Sequence, residues 1–448
     1  QAPAAPADSL RAGEPTWWGP WPARSDSNSA RFLDRPLPLW EKTVLVPHFL
    51  AGLPFRLIHH TTEATLTYMD NLGWFELPPT RHMGLALPWG GYLMPSIAAS
   101  GLEGVTTGLS ILRPNLGGPE NRAYVKGSIS TRHAEQLAGG MYLKLGPKTG
   151  LQLGGGLAEM SKMLYYGLGP SSDIGARSYY ERISAWGGLE IDHLLGRGVR
   201  ADFMTFFSQV RVTESEDEPE RSISLVHDGR LPFGFPGESS GWTVRLGLLR
   251  NTTHENGRPA EGNFSRISAD YFHASDGSDL RYLRYHASHE QFFPLWLTER
   301  TLGLRAFFNR IQNTGTLDVP FSRLVAFSRP DELRGFSSMR FSGLGSLGFS
   351  GEYRWPVWMR YRHGSTGVDG YLFCETGQVF NRRQEITLPN FEITGGFGFR
   401  LVSAEGKFVG RIEMGFSDEE TVFSLSLGQN FQRDRRGLLY GKDPTRKR

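Results

Sequence analysis

Several spellings in this sequence are ones that chemistry uses, and each is answered by its surroundings. Gly237-Glu238-Ser239-Ser240-Gly241 fits the serine-hydrolase pattern Gly-x-Ser-x-Gly. That pattern needs a strand before it and a helix after it, so that the hydroxyl stands on a sharp turn. Here the run follows Pro232 and Pro236 and leads into an alternating stretch from Trp242 to Leu249. Gly343-Leu344-Gly345-Ser346-Leu347-Gly348 spells a dinucleotide fingerprint but opens a strand, not a helix. His286 and His289 are three apart and fall on opposite faces of a strand, and no His-Glu-x-x-His occurs, so zinc finds no ligand set. Glu392 and Glu413 are inward carboxylates that suggest an acid–base pair; Arg400 and Arg411 close by make solvated salt bridges the ordinary reading. The one cysteine, Cys374, excludes an intrachain disulfide and a cysteine-rich metal centre. The residues point to a protein that is not an enzyme and carries no metal or cofactor.

What must position these side chains is a series of strands. In 347–357, Leu347, Phe349, Tyr353, Trp355 and Val357 share a face with Gly351, against Ser346, Gly348, Ser350, Glu352 and Arg354. In 391–401, Phe391, Ile393, Phe397, Phe399 and Leu401 oppose Glu392, Thr394, Gly396, Gly398 and Arg400. The runs 408–416 and 421–431 repeat the pattern, the latter with Phe423, Leu425, Leu427 and Phe431 against Val422, Ser424, Ser426, Gly428 and Asn430. One face is apolar and often aromatic; the other is small or charged. A soluble sandwich can produce the same alternation in any single strand. Four such strands, each near the ~9–11 residues a tilted membrane strand requires, favour a transmembrane antiparallel β-barrel. Lipid cannot satisfy an open sheet edge, so the sheet must close.

Composition agrees with an all-β membrane protein. Glycine is abundant at 55 residues and aromatics make up 12%, as in a wall that is apolar only at alternate positions. The most apolar helical candidate, Leu45 to Ile58, is broken by Pro47 and Pro54. Basic residues gather after Phe431, in Arg433, Arg435, Arg436, Lys442, Arg446, Lys447 and Arg448, which leaves the rest nearly neutral. A nucleic-acid binder would spread them over a folded face. The expected organisation is a flexible linker over 1–42 and an amphipathic segment over 43–89, lying on the membrane surface or packed into the barrel mouth. The barrel follows over 90–431 and a basic tail over 432–448. At ~20 residues per strand and loop, 90–431 suits about 16 strands. Fifteen can be traced, the first near 104–112, so one upstream strand escapes the pattern. The opening Gln-Ala-Pro-Ala-Ala-Pro reads like a mature terminus after signal removal.

Between the strand ending near Arg310 and the one beginning near Gly345 lies a long insert containing Val319-Pro320-Phe321 and Leu333-Arg334-Gly335-Phe336. Leu-Arg-Gly-Phe resembles the Arg-Gly-Phe/Tyr loop motif of the BamA and TamA superfamily of outer-membrane assembly barrels, the bacterial surface antigen type. Gly351-Glu352-Tyr353-Arg354-Trp355-Pro356 is similar to the family's glutamate-bearing strand. Phe373-Cys374-Glu375-Thr376-Gly377 resembles its Phe-x-Asp-x-Gly strand, with Glu375 in place of Asp. The resemblance implies a long extracellular loop folded into the lumen, where Arg334 meets Glu352, Glu375 and Phe373, with Gly335 permitting the tight turn. A guanidinium can fork to a carboxylate and stack on a ring at once. Tyr165-Tyr166-Gly167-Leu168-Gly169 and Pro259-x-x-Gly262 extend the likeness upstream. Phe423, Leu425, Leu427, Gly428 and Phe431 resemble an outer-membrane sorting signal, which places the C-terminus in the periplasm. The family's periplasmic POTRA modules have no counterpart in pattern before residue 90.

The function implied is assistance to the insertion or translocation of outer-membrane or surface proteins within a larger complex. The family is thought to work through a weak seam between first and last strands, where a client strand can pair; Gly410, Gly415 and Gly428 are compatible with weak pairing there. Expected partners are outer-membrane lipids, periplasmic or lipoprotein subunits, and client barrels. A scaffold barrel without insertase activity is the alternative.

Overall fold

Alternation becomes wall wherever every second side chain can face lipid. The computed structural model describes residues 85–100, 104–253, 259–295, 300–327, 332–360, 366–402 and 409–427. Sixteen strands follow one another around a single antiparallel sheet. The first eight are β1 (Tyr92–Ser100), β2 (Gly104–Pro114), β3 (Arg122–Ser130), β4 (Ala134–Lys144), β5 (Thr149–Tyr165), β6 (Ser178–Gly196), β7 (Val199–Glu214) and β8 (Gly237–Asn251). The second eight are β9 (Gly262–Ala274), β10 (Arg281–Pro294), β11 (Thr301–Asn313), β12 (Gly345–Arg360), β13 (Thr366–Phe380), β14 (Glu392–Val402), β15 (Val409–Phe416) and β16 (Thr421–Leu427). Each pairs with its predecessor, and β16 meets β1 to close the barrel.

The strand that the sequence pattern misses is β1. Pro95 stands in its middle, and proline lacks the N–H that a ladder uses. Its register with β2 runs from Tyr92↔Leu112 to Ser100↔Gly104; toward β16 the described residues give the pair Leu425↔Ala99, and the chain after Leu427 lies outside them. Leu85–Ala86 adds a two-residue pairing to β1. The proposed linker 1–42, most of the amphipathic segment 43–89, Gly428, Phe431 and the tail 432–448 lie outside the described residues.

The barrel is apolar outside and polar within. Leu109, Ile129, Phe423 and Ile393 are 56–65% exposed on the outer face, while Glu190, Asp270, Glu290 and Glu352 are buried on the inner one. That inversion is what a hydrocarbon surround requires. No described helix is long and apolar enough to span a membrane, and the strands do the crossing.

One end of the lumen is filled by chain from the loops. Between β11 and β12, the described residues 314–327 and 332–344 descend into it, with a short 3₁₀ turn at Phe321–Arg323. A two-residue ladder, Val325↔Gly343 and Ala326↔Ser342, holds the two limbs of this loop together. Phe321 sits edge-on to Tyr165, Tyr180 and Phe235, at ring separations of 5.3, 5.0 and 6.0 Å. Around it Ile223, Phe272, Leu280, Tyr282 and Ile311 form an apolar dome. Burying these side chains on the loop stabilises its descent by roughly 1.5–3 kcal/mol per large residue. The dome has no periodic signal because much of it lies in connections.

Candidate functional site

The loop is fastened to the wall by three buried arginines. Arg334 is 2% exposed. Its backbone N–H donates to Glu375 Oε2 at 2.8 Å and its Nε–H to Glu375 Oε1 at 3.0 Å. Nη1 donates to Glu413 Oε2 at 3.2 Å and lies 3.7 Å from Glu352 Oε1. The guanidinium rests 3.6 Å from the centre of the Phe373 ring. These acceptors come from β12, β13 and β15, so one side chain ties three strands to the loop.

The carboxylates are themselves held. Ser350 donates to Glu375 Oε1 at 3.0 Å, Tyr371 to Glu413 Oε2 at 2.8 Å, and Ser424 to Glu413 Oε1 at 2.9 Å. Arg354 binds Glu352 at 2.7 Å, Arg400 binds Asp369 at 2.8 Å, and Arg411 approaches Glu413 at 3.9 Å. Four arginines thus face four carboxylates, and a buried charge is tolerable only in such balance.

Leu333, Arg334, Gly335, Phe336, Glu352, Phe373, Glu375 and Gly377 therefore come together, with two corrections of detail. Glu413 is no solvated salt bridge: it is buried against Arg334 and Tyr371, and Arg400 pairs with Asp369 rather than with Glu392. Gly335 is needed for space, not for a left-handed turn; the positive φ in this turn belongs to Leu333, at 51°. A Cβ on Gly335 would fall 2.1 Å from Thr394 Oγ1 and 2.6 Å from the Phe416 backbone. Gly415 is its counterpart, since a Cβ there would meet the Arg334 carbonyl oxygen at 2.4 Å. Its absent side chain thus lets the loop backbone lie against β15. Gly377 makes room for Phe327, which packs with Phe336, Phe341 and Val379. Leu372 and Cys374 face outward.

Sequence reasoning missed Glu413, Tyr371 and two further arginines. Tyr371 shares its inward face with Phe373 and Glu375, which is the signal that was there to find. Arg323 enters the region of the hydrolase-like spelling: its Nε–H donates to Ser239 Oγ at 2.8 Å, Nη2 to the Ser239 carbonyl at 2.9 Å and Nη1 to Ser208 Oγ at 3.4 Å. Its guanidinium lies 4.3 Å from the Phe272 ring centre. Ser239 is an arginine acceptor at the start of β8. Arg340 binds Glu419 and Ser172, at the turn between β15 and β16 and in the loop between β5 and β6. In the same β5–β6 loop burial raises the Tyr166 hydroxyl pKa, and at the dome's edge burial lowers His227, whose ring contacts the Ala176 carbonyl.

His286 turns inward to Asn309 and His289 meets Ser265. Phe423 and Leu425 face outward on β16. Leu427 pairs with Gly410, the final described position of the sorting-like run.

The sequence model of a family described as the Omp85 superfamily domain matches residues 140–431. Among solved structures the fold is similar to BamA from Haemophilus ducreyi lacking POTRA domains 1–3, at 14% identity and a TM-score of 0.53, over 75% of this chain and 68% of that one. CdiB from Acinetobacter baumannii (14% identity, TM-score 0.45, covering 75% of this chain and 59% of that one) and CdiB from Escherichia coli (13%, 0.49, 76% and 62%) also match. The chain spans less than two thirds of either CdiB. No curated protein matches.

Proposed function

This chain belongs to the Omp85 superfamily, and from that premise we propose that it is a non-enzymatic outer-membrane barrel that assists insertion or translocation of outer-membrane or surface proteins. The observation that carries the reading is the seam. Among the described residues every other neighbouring pair in the barrel is joined by an extended ladder, and the first and last strands adjoin at Leu425↔Ala99, where the described part of β16 ends two residues later at Leu427. An edge left with free N–H and C=O groups is what another chain's strand can add to. In this reading Arg334 and its carboxylates keep the last strands in register while the seam remains openable. The C-terminus is periplasmic, and periplasmic or lipoprotein subunits deliver clients.

Depletion in the native bacterium tests this. The amounts of particular outer-membrane or surface proteins should fall while their transcripts hold steady. Unchanged amounts would overturn the assembly role and leave a scaffold barrel in its place.

A further inference from the structure

We propose that Arg340 is a clasp across the seam, a positioning residue that holds the last hairpin to the N-terminal side of the wall from inside the lumen. The proposal rests on the assembly reading and specifies how that seam is kept shut.

From β1 round to β16 the ladders follow without a gap; across the remaining junction they shrink to one described pair. Arg340 adds side-chain contacts between the two sides of that junction. It is 3% exposed, yet it lies in the loop between β11 and β12 and belongs to neither side of the seam. Nε donates to Glu419 Oε2 at 2.7 Å and Nη2 to Glu419 Oε1 at 2.6 Å, a two-pronged grip on the β15–β16 turn. Nη1 donates to Ser172 Oγ at 2.8 Å and Nη2 to the Ser172 carbonyl at 2.8 Å, in the loop that joins β5 to β6. Glu419 therefore lies on the β16 side of the seam and Ser172 on the β1 side. One planar guanidinium uses two edges to hold both, an arrangement lysine cannot reproduce.

The surroundings fix the clasp in place. The guanidinium lies 4.5 Å from the Phe341 ring centre and 5.2 Å from that of Tyr166. On one side Ser417 Oγ donates to the Gly335 carbonyl at 2.9 Å, and on the other Gly169 N–H donates to the Ser342 carbonyl at 2.8 Å. The other two loop arginines do not do this. Arg323 grips β7 and β8, and Arg334 grips β12, β13 and β15, strands that full ladders already join. Of the three, Arg340 alone has its partners on opposite sides of the seam.

The test reads the seam itself. In a Cys374→Ala background, Ala99→Cys and Leu425→Cys place two thiols at directly opposed positions, within the reach of a disulfide. The protein is folded into lipid vesicles and oxidised, and the cross-linked fraction is followed by gel mobility. At the urea concentration that halves the parent's cross-linking rate, Arg340→Ala should raise the open-to-closed ratio about tenfold or more, the change expected on losing a charge-assisted pair, and cross-linking should slow about fivefold. Glu419→Ala should do the same. It leaves the buried arginine's ring and serine contacts in place, so it decides the matter if Arg340→Ala fails to fold. Cross-linking as fast as in the parent, in variants that still migrate as folded barrels when unheated, would overturn the clasp. The parent in the same vesicles is also offered a small urea-unfolded outer-membrane barrel. Failure to speed that barrel's folding would remove the assembly reading and leave the cross-linking result intact.

Discussion

Strands β12–β15 and strands β2–β4 have the same outer face and opposite inner ones. Outside, Phe349, Leu372, Ile393 and Ile412 match Leu109, Val125, Ile129 and Leu137 in exposure and kind. Inside, the first wall carries Ser350, Glu352, Arg354, Asp369, Tyr371, Phe373, Glu375, Arg400, Arg411 and Glu413, all buried. The second carries Thr106, Ser110, Lys126, Ser128 and Gln136, all half-buried, with Ala138 and Tyr142 buried further along β4. Lipid dictates the outer faces and so makes them alike. The inner faces differ because the loop leans on one wall and leaves the other to water. Rigidity in this barrel is delivered by the loop chiefly to β12–β15, on the β16 side of the seam, while the side chains named on β2–β4, on its other side, stay half-buried.

The sharpest way to break this contrast is at Arg334. Arg334→Ala leaves Glu352, Glu375 and Glu413 facing one another in a buried site, and removing one partner of a buried ion pair costs about 3–5 kcal/mol. Urea unfolding in lipid vesicles should show a loss of that size. Arg334→Lys should recover only part of it, because lysine can neither fork to Glu375 nor stack flat on Phe373. A parent-like midpoint for Arg334→Ala would mean that the two walls are equally independent of the loop.

Glycines give the second contrast. A Cβ on Gly415 would press on the Arg334 carbonyl at 2.4 Å, and the loop backbone cannot retreat without losing its carboxylates. Gly415→Ala should cost about 1–3 kcal/mol, as overpacking usually does. On the other wall, a Cβ on Gly127 would find its nearest neighbour, the Gln136 carbonyl, at 3.9 Å. Gly127→Ala should stay within about 0.5 kcal/mol of the parent in the same unfolding measurement. Gly127 shares the lipid-facing side of β3 with Val125 and Ile129, so equal losses at the two positions would mean that the loop does not press on Gly415.

How far the sequence disclosed all this follows the same division. The outer faces of β12 and β14–β16 were legible because lipid demands an apolar side chain at alternate positions, and Ile393, Phe397 and Phe399 supply them on either side of Gly395. β1 was not, because Pro95 breaks its pattern and a proline argues against a strand. Arg334, Glu352, Phe373 and Glu375 were legible through short motifs on consecutive elements. Glu413 was hidden because its local neighbour Arg411 offers a sufficient explanation two residues away, and contact across a lumen leaves no periodic trace. Arg323 and Arg340 were hidden for a related reason: an arginine in a long connection looks the same in sequence whether it meets water or a buried serine.

The cation over the ring sharpens the comparison next. Phe373→Leu keeps the volume roughly and removes the aromatic face beneath Arg334, at 3.6 Å in a site that water barely reaches. Desolvated cation–π contacts are worth about 2 kcal/mol, so the unfolding free energy should fall by that amount. An unchanged value would mean that the carboxylates alone hold the guanidinium.

The smallest effect compares one residue type in both walls. Ser350 and Ser128 are both inward-facing serines on barrel strands. Ser350 is buried and donates to Glu375 Oε1 at 3.0 Å, so Ser350→Ala takes a donor from a buried carboxylate that Arg334 also occupies. With that arginine still in place the loss should be about 1 kcal/mol. Ser128 is half-buried on the wetter wall, where water can replace any bond its hydroxyl makes, and Ser128→Ala should be silent within about 0.5 kcal/mol. Parallel urea titrations of the two variants, in the same vesicles, measure the difference directly. If Ser128→Ala lost as much as Ser350→Ala, the lumen beside the seam would be as tightly packed as the lumen beneath the loop, and the seam would have no softer side from which to open.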